Sequence, residues 1–218
     1  MGLTLELAHI YKAYGGQQVV TDCSFTFEPG GTYVIMGPNG CGKSTLLRIA
    51  ALLEKPDQGE VKFLNGGNPI EPDINLKRRL TMVFPRVGVF NTTVAKNVAY
   101  GLQIRGVAKS EMQARVDSAL ELVRLTHKRT QRALTLSSGE TMRLGLARGL
   151  AIEPDILFLD EPTTSIDVAN TKIIEQVLRR ISQDKKLTLI IVTHDAAQAA
   201  RFSGRLLFMR DGNLVDHL

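Results

Sequence analysis

Apolar and polar residues alternate through Leu3-Thr-Leu-Glu-Leu and again through Cys23-Ser-Phe-Thr-Phe-Glu. This period of two predicts strands with one buried and one wet face, and so an antiparallel sheet near the N-terminal end. Tyr33-Val-Ile-Met is different: short, continuously apolar, and followed by glycine-rich sequence and a helical pattern from Lys43. It reads as a buried strand feeding a helix. Gly59-Glu-Val-Lys-Phe-Leu-Asn-Gly reads as a further strand ending in a turn, and Leu80–Phe84 as a buried strand broken at Pro85. From Thr92 to about Ile152 the period becomes helical, with Ser110 as an N-cap and Met112, Val116, Leu120 and Val123 following at helical spacing. Beyond Pro154 the chain alternates again. Ile156-Leu-Phe-Leu is a strand, Val168–Gln183 a helix, Leu187–Val192 a strand and Ala196–Phe202 a short helix. Arg205–Met209 and Asn213–Val215 form a closing hairpin about Asp211-Gly212. The pattern predicts an α/β fold in a single domain, 1–218, with a core at about 1–85 and 153–218 and an inserted helical subdomain at about 86–152.

Composition narrows the class. The 218 residues suffice for a sizeable core, and 44% hydrophobic and 22% charged residues are ordinary for a globular domain. No apolar run approaches the roughly 18 residues that span a bilayer. Cys23 and Cys41 form no metal-ligand spacing, so a reducing, cytosolic compartment is the default. The net charge of +5 gathers at Lys77-Arg78-Arg79, Lys128-Arg129 with Arg132, and Arg179-Arg180. These clusters are either solvated faces or attractors for an anionic partner, and charge alone does not choose.

Chemistry enters at Gly37-Pro38-Asn39-Gly40-Cys41-Gly42-Lys43-Ser44-Thr45, between a predicted strand and a predicted helix. That is the phosphate-loop pattern G-x-x-x-x-G-K-[ST] in its required context. The glycines let backbone N–H groups turn inward around a phosphate, and the helix start adds partial positive charge. Lys43 would reach the β- and γ-phosphates of ATP, Ser44 would ligate Mg²⁺ and Thr45 could donate to the α-phosphate. The strand Ile156–Leu159 then delivers two adjacent carboxylates, whose side chains should point apart. Asp160 is assigned toward Mg²⁺, and Glu161 toward the attacking water as base or positioner. His194, in Thr193-His194-Asp195 at a strand end, is a capping or core residue or a γ-phosphate contact. Cys41 lies near a helix start and Lys43, a setting that makes a thiol reactive, whereas Cys23 on a strand reads as an inert core thiol.

The stretch from Leu136-Ser-Ser-Gly-Glu to Leu159-Asp-Glu-Pro-Thr-Thr-Ser-Ile-Asp167 resembles the ABC-transporter ATPases. The likeness runs from about Leu3 to Val215. It implies a P-loop NTPase (RecA-like) core with an N-terminal antiparallel β subdomain and an inserted α-helical subdomain. Ser137-x-x-Glu140 reads as a capping box whose helix start is an anion site. In the family this signature completes the ATP pocket of a second subunit, which implies a head-to-tail dimer with ATP between Gly37–Thr45 of one copy and Ser137, Ser138 and Gly139 of the other. Ser138 replaces the family's first glycine and would be strained if that position needs a positive φ. Tyr14 matches the aromatic that stacks on adenine, with Tyr11 a weaker candidate. Asp167 matches the loop linking the two ATP sites, and His194 the switch histidine.

At Val83-Phe84-Pro85 the family carries a glutamine that touches Mg²⁺ and the attacking water, and proline offers no side-chain ligand. The resemblance implies an ATP-hydrolysing subunit of a membrane importer, peripheral on the cytoplasmic face, with separate permease subunits and indirectly a substrate-binding protein. Phe90–Gly106 looks most like ATPases of tungstate and molybdate importers. The chain ends soon after the closing hairpin, so a C-terminal regulatory domain is either lacking or truncated. Two other functions compete. A nucleic-acid machine with the same ATPase head is disfavoured by the short spacing and the missing zinc cysteines, so no nucleic-acid partner is expected. A hydrolysis-impaired ATP-binding regulator is motivated by Pro85.

Overall fold

In β1 (Leu3–Tyr14) Leu3, Leu5 and Leu7 are buried on one face, and the phase then slips so that Ile10 is buried next. The slip is a register shift against β2 (Gln17–Phe27), where Leu7 pairs with Phe25 but Ile10 with Cys23. His9 takes a positive φ of 51° within it. The bulge explains why alternation in the sequence stops at Leu7 although the strand continues to Tyr14. The computed structural model describes residues 2–202 and 204–216.

Along the chain follow β3 (Thr32–Met36), α1 (Lys43–Ala50), β4 (Gln58–Asn65), β5 (Asn68–Ile70), α2 (Ile74–Arg78) and β6 (Leu80–Val83). The helical stretch comprises α3 (Val94–Ile104), α4 (Lys109–Leu122) and α5 (Ser138–Ala151), with short 3₁₀ turns at Thr126–Lys128 and Ala133–Thr135. The chain closes with β7 (Ile156–Asp160), α6 (Val168–Ile181), β8 (Thr188–Thr193), α7 (Ala196–Ala199), β9 (Arg205–Arg210) and β10 (Asn213–Asp216).

Two compact units emerge. The first holds Met1–Met82, Asp155–Glu161 and Ile181–Leu218. Its four-stranded sheet, ordered β2-β1-β4-β5, pairs β1 antiparallel with both β2 and β4. The second sheet runs β10-β9-β3-β8-β7-β6, with β3 parallel to β8 and β9, and β7 parallel to β8. β7 and β8 are buried along their whole length, as continuously apolar parallel strands must be. One core joins Leu5, Phe27 and Phe63 from the antiparallel sheet, Leu46 and Ile49 from α1, and Phe158 and Ile190 from the parallel strands.

The other unit holds Val83–Pro154 and Pro162–Arg180. Helices α3, α4 and α5 pack on one another and bury Val98, Leu102, Val116, Leu120, Leu144 and Leu146. Thr93 caps α3, its side chain accepting from Lys96 N–H at 3.3 Å. Ser110 does not cap α4. Ala108 is the N-cap, with extended backbone at φ −58°, ψ 145° and no side-chain cap bond, because the chain turns into the helix directly after Gly106-Val107. Ser110 therefore stands inside the first turn. The expected helix Ala196–Phe202 stops at Ala199, where Phe202 N–H bonds back only three residues, closing a tighter turn.

Candidate functional site

The loop between β3 and α1 is shaped by glycines, two of which no other residue could replace without displacing backbone. A Cβ at Gly37 would lie 2.2 Å from the Met209 carbonyl, and one at Gly42 would lie 2.3 Å from that of Val19. Gly42 is also the N-cap of α1 with φ 102°, and Gly40 has φ 83°. The Lys43 ammonium folds back to donate to the carbonyls of Gly37 and Pro38, each at 2.8 Å. A cleft of about 420 Å³ opens beside the loop, lined by Met36, Gly37, Pro38, Asn39, His194 and Phe208.

Ser44 Oγ donates to Asp160 Oδ1 at 2.8 Å, across a sequence separation of 116 residues. Burial at the end of β7 pushes the Asp160 carboxyl above its ordinary range, and the nearby Glu161 charge adds to this against the Ser44 hydrogen bond. Glu161 leaves the strand with φ 47°, and its N–H donates to the Val192 carbonyl at 3.0 Å. Its Oε1 lies 3.0 Å from His194 Nδ1. The two adjacent acids thus diverge, Asp160 to Ser44 and Glu161 to His194. His194 stands between neighbours that bond one another, Asp195 N–H donating to Thr193 Oγ1 at 3.1 Å. Thr193 Oγ1 donates to Gln198 Oε1 at 2.7 Å, and Asp195 caps α7 by accepting from Gln198 N–H at 3.0 Å.

Tyr14, at the end of β1, is 44% exposed. Its hydroxyl donates to Glu54 Oε1. Arg48 of α1 donates to Glu54 at 3.1 Å and also to Thr45 Oγ1 at 3.1 Å, tying the tyrosine to the phosphate loop through two side chains. Burial opposes ionisation of Glu54, but hydrogen bonds from Tyr14 and Arg48 hold its carboxyl below the ordinary range. Neither Arg48 nor Glu54 belongs to the phosphate-loop motif. The spacing of Arg48 three residues after Thr45 on one helix was the available signal. Cys41 is half-buried, its Sγ 4.0 Å from Lys43 Nζ. Cys23 is fully buried, and desolvation pushes its thiol up to about 11.

In the helical unit, Ser137 and Glu140 form the predicted capping box at the start of α5. Ser137 Oγ accepts from Glu140 N–H at 3.3 Å, and Glu140 Oε2 accepts from Ser137 N–H at 3.0 Å. Ser138 is the first helical residue and is not among the positive-φ positions, so serine carries no strain there. Gly139 is the demanding position: a Cβ would lie 2.4 Å from Asn170 Cβ. Asp167 caps α6, accepting from Asn170 N–H at 2.9 Å and from its side-chain amide at 2.7 Å. Pro85 is exposed just after β6. Among the described residues, no helix is long and apolar enough to cross a membrane.

The sequence profile of the ABC transporter family matches residues 20–164. The chain belongs to that family. An ABC relative, the sulfate/thiosulfate import ATP-binding protein of Gloeobacter violaceus, is 37% identical over 97% of this chain, which spans 61% of that protein's length. The tungstate uptake system ATP-binding protein of Peptoclostridium acidaminophilum is also 37% identical, with 97% of each chain covered. Other ABC relatives of comparable identity are named as importers of spermidine/putrescine, phosphate and Fe(3+) ions. Among solved structures, a dimeric ATP-binding cassette in a post-hydrolysis state, bound to ADP and phosphate, aligns with a TM-score of 0.80 at 26% identity, over 96% of each chain. The fold is that of the P-loop NTPases, with the antiparallel sheet and the helices of the ABC ATPase domain.

Proposed function

We propose that this chain binds and hydrolyses ATP to drive a membrane importer, acting as a head-to-tail pair beneath separate permease subunits on the cytoplasmic face. The carrying observation is the contact between Ser44 and Asp160 at 2.8 Å beside the glycine loop. Both are hard oxygen donors, the class that Mg²⁺ selects, and their contact supports assigning them as ligands of one ion. Bound Mg²⁺ would neutralise charge on the β- and γ-phosphates. The loop N–H groups and Lys43 hold those phosphates, after Lys43 exchanges its two carbonyl partners for phosphate oxygens. Glu161 orients the attacking water and takes its proton, and His194 holds Glu161 and the γ-phosphate in place. Tyr14 stacks on adenine. Ser137, Ser138 and Gly139 offer the start of α5 to the γ-phosphate in the partner copy, with Asp167 beside them. For cargo, the oxyanion importers among the relatives, and the end-to-end match to the tungstate protein in particular, favour a small anion such as tungstate or molybdate, delivered by a substrate-binding protein.

Pro85 motivates the second reading, an ATP-binding regulator with little turnover, because the family's glutamine is absent and proline supplies no ligand. Steady-state ATP hydrolysis against protein concentration separates the two. The hydrolase reading expects turnover that rises more than linearly with protein and is lost in Glu161→Gln. A native chain that binds ATP but turns over only as Pro85→Gln would instead establish the regulator.

A further inference from the structure

The signature helix presents a conflict of charge. An anion is to dock at the start of α5, yet the capping box that builds this start uses a carboxylate, Glu140, at the third helical position. In the free chain that carboxylate is favourable, since it answers the helix dipole and accepts from Ser137 N–H at 3.0 Å. When a phosphate arrives at the same helix end, the same carboxylate repels it. Glutamine at this position would make the box without the charge.

The structure supplies a counter-charge. Lys128, at the end of the first 3₁₀ turn, places Nζ 2.5 Å from Glu140 Oε1. The two side chains are only 23% and 16% exposed, so solvent does little of the screening. A second cation, Arg143 one turn along α5, also favours the Glu140 carboxylate electrostatically, but its guanidinium hydrogen-bonds to the carbonyls of Val123 and Arg124 at 2.8 and 3.0 Å and not to Glu140. Glu140 thus has one oxygen on the Ser137 N–H and the other on Lys128. Its carboxyl is held below the ordinary range, against burial, by the hydrogen bonds from Lys128 and Ser137.

We propose that Lys128 is a positioning residue for the second ATP contact: it neutralises Glu140 so that a glutamate-bearing signature helix accepts the γ-phosphate of the partner's nucleotide. This rests on the reading above that the start of α5 is that contact. The basic cluster at Lys128-Arg129 thereby acquires a specific task at Lys128, while Arg129 pairs with Asp117 at 3.1 Å.

The test uses the full chain in a Glu161→Gln background, where ATP is held unhydrolysed, with ATP-driven dimerisation followed by sedimentation and single-chain ATP affinity by a fluorescent analogue. Lys128→Met should raise the ATP concentration for half-maximal dimerisation by about tenfold while leaving single-chain ATP affinity nearly unchanged; it also lowers the melting point of the nucleotide-free chain, because Glu140 loses its partner, and Glu140→Gln recovers that loss. Lys128→Arg should behave as the parent. Adding Glu140→Gln to Lys128→Met should restore dimerisation, because the charge needing compensation is gone. No shift in Lys128→Met overturns the proposal, as does a shift that persists with Glu140→Gln, which would assign Lys128 some other contact. A parent that binds ATP and never dimerises removes the second ATP contact itself, and this inference with it.

Discussion

Gly139 is constrained by one neighbour. The Asn170 side chain occupies the space where a Cβ would stand, at 2.4 Å, so Gly139→Ala must push α5 or the start of α6 aside. Overpacking of this kind costs about 1–3 kcal/mol, and thermal unfolding should report the lower midpoint. Neighbouring Ser138, an ordinary helical residue, should tolerate Ala with little change. The two cysteines offer a second contrast at this scale. Cys41 sits in the phosphate loop within reach of Lys43, whereas Cys23 is fully buried with its Sγ 3.1 Å from the Gly212 carbonyl. A maleimide should label Cys41 alone under native conditions and block binding of a fluorescent ATP analogue, and prior ATP should protect. Peptide mass spectrometry identifies the labelled site. Full nucleotide affinity after complete labelling at Cys41 would contradict the cradle assignment.

At the scale of elements, α5 begins where its capping box dictates. Ser137→Ala removes the acceptor for Glu140 N–H and should cost about 1 kcal/mol, read as a lower urea midpoint with an unchanged slope. That box was legible in the sequence because a Ser-x-x-Glu spacing has a single local geometry. The same holds for the β3–loop–α1 unit, whose glycines and lysine carry their reason with them. Other elements were hidden for physical causes. The second half of β1 loses its alternation at the bulge near His9, and α2, five residues capped by Asp73, is too short to show a period. The start of α4 lies ahead of Ser110 because serine is a good cap only where the backbone turns into the helix, and here that turn lies at Ala108. Contacts such as Tyr14 with Glu54, or Lys128 with Glu140, join segments whose proximity no local pattern encodes.

For the whole molecule, Asp160 sets a stability that depends on what is bound. Its folded-state carboxyl is raised above the ordinary 3.8 by burial, so between that value and the folded one the native chain holds a proton that the unfolded chain has released. Nucleotide-free stability from this group therefore falls as pH rises through that window and stays lower above it. Asp160→Asn should raise the melting point of the free protein at neutral pH while weakening its response to Mg²⁺ and ATP together, a trade measurable by calorimetry with and without ligand. The Lys43 ammonium has a related consequence for the tempo of a working cycle. Seated on the carbonyls of Gly37 and Pro38, it holds internal partners that would compete with the nucleotide phosphates of the proposed function. On the proposed function, a departing ADP would be replaced by ligands the loop already owns, and exchange would proceed as a swap of hydrogen bonds without passing through a bare charge. A pocket that is to empty on every cycle is served, on that reading, by a cradle that is content without its cargo.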